Sequence, residues 1–138
     1  MEGYLIFSYL LNIMKKILLV DDDEDLVEML RLSLKSNDFD VHVHTTSSNI
    51  PDVVKYYKPD LILLGIRLEE DDDDKSGMNI CRELKRTYNI PILLMSADTR
   101  KGKAFKDFDA DGFIVKPFNT DELISAITQH LNSSRAEA

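Results

Sequence analysis

Only one cysteine, Cys81, stands in the whole chain. No disulfide can form within it, which suits a reducing cytoplasm, and a cytoplasmic protein is expected. Basic residues are in deficit: 17 Lys and Arg face 25 Asp and Glu, giving a formal charge of −8. Without clustered Lys and Arg to meet phosphates, direct binding to nucleic acid is disfavoured. The apolar N-terminus MEGYLIFSYLLNI is too short to cross a bilayer. It also lacks the basic start and small-residue cleavage site of a secretory signal, so no membrane association is expected. There is no internal repeat and no Pro- or Ser-rich linker. No glycine-rich phosphate-binding loop appears, which disfavours nucleotide binding.

What is present fits one domain. The length is 138 residues and the hydrophobic share 43%, enough for a packed core. Six acids are consecutive, Glu69 to Asp74, and without them the formal charge of −8 falls to −2. The acidity is mostly local. Residues 1–13 read as an extension, 14–132 as the domain and 133–138 as a tail. Met14 opens a stretch that would read as a complete domain by itself.

Apolar runs alternate with helical periods. KKILLV (15–20), FDVHVHT (39–45), DLILL (60–64), PILLM (91–95) and GFIV (112–115) read as strands. Leu26, Leu30 and Leu34 recur every fourth residue, as on an amphipathic helix. SNIPDVVKYYK makes a short helix with Pro51 near its start. MNICRELKRTY (78–88) is helical, and residues 98–108 are expected to be. Asn119 and Glu122 have capping-box spacing before a helix carrying Leu123, Ile127 and Leu131. Five strands alternating with five helices argue an α/β fold, a parallel sheet covered on both faces. In such sheets ligands bind beyond the carboxyl ends of the strands.

Those ends carry Asp21 to Asp25 (DDDED), Gly65, Ser96 and Lys116-Pro117. Packed carboxylates repel unless protonated or bridged by a cation. Oxygen ligands select a hard ion such as Mg²⁺. A lysine and a hydroxyl beside that ion suit a phosphoryl group. His42 and His44 share a strand face but lack further ligands for zinc. They are expected to be satisfied or at the surface, and Cys81 to serve packing.

ILLVDDDEDL, PDLILLGIRL, PILLMSA and GFIVKPF, in that order, resemble the receiver domain of two-component response regulators, the CheY-like superfamily. The resemblance covers residues 14 to about 132. It implies a flavodoxin-like doubly wound sheet of order 2-1-3-4-5 with five helices. It implies phosphorelay signal transduction, with a histidine kinase as partner and transfer to an Asp at the end of the third strand. By position, Asp21, Asp22 and the Arg67 carbonyl match the metal ligands for Mg²⁺. Ser96 and Lys116 match the groups that contact the phosphoryl oxygens, and Phe113 the switch aromatic. The resemblance also implies a cis Lys116–Pro117 bond. It implies a surface of the fourth helix, fifth strand and fifth helix through which a homodimer forms.

Gly65 stands where the family has its phosphoacceptor Asp. Glycine has no nucleophile, so the chain is expected to be a pseudo-receiver, a docking or dimerising module and not an enzyme, with weakened Mg²⁺ affinity. The loop EEDDDDKSG is longer than the family's turn. One alternative is transfer to another carboxylate, with an acid of that loop reaching back. Another is a hydrolase: DDDED loosely resembles the Asp-x-Asp motif of haloacid dehalogenase-like phosphatases. That family has Thr or Val where this chain has Asp25, and commonly a cap domain for which 138 residues leave no room.

Overall fold

The computed structural model describes Gly3 and residues 14–66, 76–98 and 105–136. Five short strands form one sheet: β1 (Lys16–Val20), β2 (Asp40–His44), β3 (Leu61–Gly65), β4 (Ile92–Ser96) and β5 (Gly112–Val115). All pair in parallel, in the order β2-β1-β3-β4-β5. Among the described residues four α-helices accompany them: α1 (Glu24–Ser36), α2 (Ile50–Tyr57), α3 (Ser76–Thr87) and α4 (Thr120–Ala136). The sheet order and the flavodoxin-like architecture are those implied by the family resemblance.

Period-2 alternation sorts each buried strand between two cores. Leu18, Val20, Ile62, Leu64, Ile92 and Leu94 face α2 and α3, where Ile50, Val54, Met78, Cys81 and Leu84 close one core. Ile17, Leu19, Leu61, Leu63, Leu93 and Met95 face α1 and α4, where Val27, Leu30, Leu34, Leu123 and Ile127 close the other. The strands look continuously apolar because both faces are covered. Side-chain caps fix where helices begin. Asp23 accepts from the Leu26 N–H at 3.1 Å and starts α1. Asn119 accepts from the Glu122 N–H at 2.8 Å and donates to the Glu122 carboxylate at 3.1 Å, a variant of the expected capping box.

Four of the five expected helices are seen among the described residues. Of the helix expected over 98–108, only Asp98 and residues 105–108 are described. Phe105–Phe108 form a single 3₁₀ turn, and Asp109 then turns left-handed with φ 64°. Phe105 and Phe108 are three apart, the repeat that a 3₁₀ turn eclipses, and both pack on the α2–α3 core. The expected N-terminal extension, apart from Gly3, and the acidic run Glu69 to Asp74 lie outside the described residues, as does Arg67. Among the described residues no helix is long and apolar enough to cross a membrane.

Leu63 lies at the middle of the central strand with no exposed surface. Leu63→Ala is expected to cost about 2–5 kcal/mol, the range for a fully buried Leu. Leu32→Ala, at a side chain 56% exposed, should stay within about 0.5 kcal/mol. Urea unfolding of both variants checks the contrast.

Candidate functional site

The strand order places the ends of β1, β3, β4 and β5 at one edge, with β1 and β3 adjacent. Asp21 follows β1 directly and is 1% exposed, the single buried charged residue among those described. Its backbone N–H donates to the His44 carbonyl at 3.3 Å, which extends the β1–β2 ladder by one step. Its carboxylate has partners on both oxygens. Oδ1 accepts from the Asp23 N–H at 3.1 Å, and Oδ2 accepts from the Lys116 ammonium at 2.7 Å. A buried carboxylate needs such partners, because an unpaired one costs several kcal/mol.

Gly65 explains how Lys116 and Asp21 meet. A β-carbon on Gly65 would lie 2.6 Å from Asp21 Oδ2 and 3.0 Å from Asp21 Cγ. Both are far inside contact distance. The carboxylate of Asp21 therefore uses space that any side chain at position 65 would need. On the other side, a β-carbon on Gly77 would overlap the Gly65 carbonyl oxygen. The Gly77 N–H donates to the Ile66 carbonyl at 2.8 Å, so α3 starts hard against the end of β3.

The remaining expected residues are spread around this pair. Asp22 is exposed on the bend after β1. Ser96 is half-buried at the end of β4, and its Oγ accepts from the Asp98 N–H at 3.0 Å, a turn-forming bond. The Lys116 N–H donates to the Ser96 carbonyl at 2.9 Å, which carries the β4–β5 ladder into the loop and aims Lys116 across the edge. The Lys116–Pro117 bond is cis, as the resemblance implies. Phe113 is half-buried on β5, 6.3 Å from the Phe105 ring. A cavity of about 350 Å³ adjoins the site, lined by Asp23, Leu26, Met29, Ala97, Lys116, Pro117 and Phe118. Sequence reasoning did not find this hollow: Leu26 and Met29 come from α1, and Ala97, Pro117 and Phe118 from the loops after β4 and β5, so it forms only once these elements meet. Nor did it find that Asp23 is the cap of α1, although an acid just before a helical period is the usual signal for one.

The fit to Mg²⁺ is poor. Asp21, one of the two described carboxylates in question, is already bound by an ammonium group. Among the described residues no three His, Cys, Asp or Glu side chains are grouped to hold a metal ion. Away from the edge, His42 is exposed and stacks on Tyr57 at 5.2 Å, and the His44 Nε2 donates to the Ser48 carbonyl at 2.6 Å. Cys81 is fully buried, and burial pushes its thiol up to about 12, which leaves it to packing.

Gly65→Ala is expected to cost about 1–3 kcal/mol, as overpacking does in a filled site, because the new methyl group must push Asp21 off Lys116. Urea unfolding that leaves the midpoint unchanged would mean that the carboxylate yields freely.

The model of the response regulator receiver domain matches residues 17–128. The BeF₃-activated N-terminal receiver domain of RstA from Klebsiella pneumoniae is 29% identical. It superposes with a TM-score of 0.76 over 84% of this chain and 97% of that one. A CheY-like receiver domain protein from Methanospirillum hungatei is 21% identical, with a TM-score of 0.80 over 91% and 99%. NtrX from Brucella abortus is 23% identical, with a TM-score of 0.81; 91% of this chain matches 28% of that longer one. These two likenesses speak to fold alone. With its family match, its sheet order and the edge just described, the chain belongs to the response regulator receiver domain family of two-component systems.

Proposed function

We propose that this receiver domain has Gly65 at the phosphoacceptor position, takes no phosphoryl group there, and works as a docking or dimerising module. The observation that carries this reading is the end of β3. Gly65 offers no nucleophile, and the carboxylate of Asp21 lies against the space where a side chain would stand. The neighbouring acids are badly placed to substitute. Asp21 is buried and paired with Lys116. Asp23 accepts from the backbone at the start of α1. In-line transfer needs an accessible, aligned oxygen. The same occupied Asp23 disfavours a phosphatase built on Asp21 and Asp23.

On this reading Ser96 and Lys116 are the groups that would contact a phosphoryl group, and Phe113 is the switch aromatic. Mg²⁺ binding is weak and runs through Asp22, with the Arg67 carbonyl outside the described residues. The docking face comprises the segment after β4, the strand β5 and the helix α4. Phe105 and Val115 give it apolar surface, Val115 being 43% exposed, and Lys106 gives it charge. A histidine kinase or another signalling protein, or a second copy of the chain, is the expected partner.

With a small phosphoryl donor and Mg²⁺, mass spectrometry is expected to find no adduct on the unaltered chain. Gly65→Asp should gain one, because Asp22, Ser96 and Lys116 are still there. An adduct on the unaltered chain would overturn the inactive reading. Charge reversal at Lys106 together with Lys103 should weaken self-association or partner binding at least several-fold, while removal of residues 1–13 should not. Sedimentation and partner pull-down read this directly. Loss of association on removing 1–13 would move the interface to the N-terminal extension.

A further inference from the structure

Receiver domains are expected to hold a divalent ion among their carboxylates, yet this edge has a different occupant. We propose that the Lys116 ammonium is the resident cation of the pocket, held there by Asp21, and that it keeps divalent ions out. The inference rests on the receiver reading only for the expectation of an ion; the ion pair stands without it.

Three observations point the same way. Asp21 is 1% exposed and is the buried charge of the site. Its Oδ2 is 2.7 Å from Lys116 Nζ, a charge-assisted hydrogen bond at full strength. That oxygen sits only 2.6 Å from where a residue-65 β-carbon would be. The pair therefore exists in this form because position 65 is bare. A side chain there would drive the carboxylate away or take the ammonium for itself.

Charge and coordination follow from this. The Asp21 and Lys116 charges cancel, so the buried carboxylate of this edge is already neutralised, and the acids left are Asp22, which is exposed, and Asp23, whose Oδ1 caps α1. Mg²⁺ demands near-octahedral oxygen ligands and gives up water reluctantly. To bind Asp21 it must expel an ammonium group tethered to the same chain, whose effective concentration is of millimolar order or above. The tethered cation thus competes with millimolar free ion at a comparable or higher concentration. It also needs no dehydration of a divalent shell. Asp21 is thus a positioning residue for Lys116, and Lys116 acts as a built-in substitute for the metal.

The test uses the full chain, Mg²⁺ itself as probe, and Na⁺ at matched ionic strength as control. Calorimetry and thermal melting should give the unaltered chain weak binding and an unmoved Tm. Lys116→Met keeps the stem and removes the ammonium. It should melt lower without Mg²⁺, recover on addition, and bind Mg²⁺ about tenfold or more tightly, since a like charge at contact distance has been removed. Asp21→Asn/Lys116→Met should lose that gain. Equal Mg²⁺ affinity in the unaltered chain and Lys116→Met would overturn the proposal. Should Lys116→Met fail to fold, ¹⁵N spectra of lysine ammonium groups in the unaltered chain decide. One protected ammonium resonance, absent in Asp21→Asn and unmoved by Mg²⁺, is expected. A resonance that collapses or shifts on adding Mg²⁺ would sink the idea. No phosphoryl donor enters these measurements, so their outcome is separate from whether position 65 takes phosphate.

Discussion

The Asp21–Lys116 ion pair ties the first strand to the loop after the last. In the sheet, β3 and β4 lie between them, so the bridge must pass over the end of β3. That crossing is open because Gly65 ends the strand without a side chain. Two glycines thus act on one strand end in opposite directions. Gly65 admits a carboxylate from β1, and Gly77 admits the backbone of β3 against the start of α3. Neither has a left-handed φ; what both supply is room.

A buried ion pair is weak evidence for stability, because desolvation offsets much of the attraction. Its asymmetry matters more. Removing one partner leaves an uncompensated charge in a dry place, at a cost of about 3–5 kcal/mol. The pair therefore constrains arrangement more than it adds stability, and the two apolar cores supply the latter. Polar clamps at the other end of the sheet do similar work. The Asp60 carboxylate accepts from the Lys16 N–H at 2.8 Å. The Asp111 carboxylate accepts from the Ile92 N–H at 2.8 Å and from Lys85 at 2.9 Å. Each sets the entry of a strand, so the register that brings the carboxyl ends together is fixed at both edges.

Most of the fold was legible because the strands advertise themselves. KILLV and LILLG are apolar at every or nearly every position, and their bounds fall within a residue of expectation. The helical face expected at Leu26, Leu30 and Leu34 was equally plain, though Val27 is buried with Leu30 and Leu34 and Leu26 is half-buried. In the segment after β4, the described residues 105–108 depart from the expected helix because two phenylalanines three apart pack on the core from a 3₁₀ turn. At the site, the carboxyl ends of the strands pointed to Asp21, Asp22, Ser96 and Lys116, and the family resemblance added Phe113. Neither could reveal the Asp21–Lys116 pair, since partners 95 positions apart meet only once strand order and the bare end of β3 are known. Ser96 shows the limit from the other side: a hydroxyl after a strand reads both as a ligand and as a turn former, and here its oxygen serves the Asp98 turn.

A switch responds only to inputs that bind its two states with different affinity. On the reading proposed, the phosphoryl input is absent, and the Asp21–Lys116 pair forms within the chain without any ligand. Contact remains as the route for information. Val115 and Lys116 are consecutive, so a partner on the β5 face meets the same loop that the ion pair fixes. A partner that pulled Lys116 away would have to leave Asp21 buried and unpaired, and repay that cost from its own contacts. A partner that leaves the pair intact meets a surface already ordered, and association to an ordered surface loses less side-chain and loop freedom. On that same reading, the ion pair favours docking to a surface that is already ordered over switching between two states.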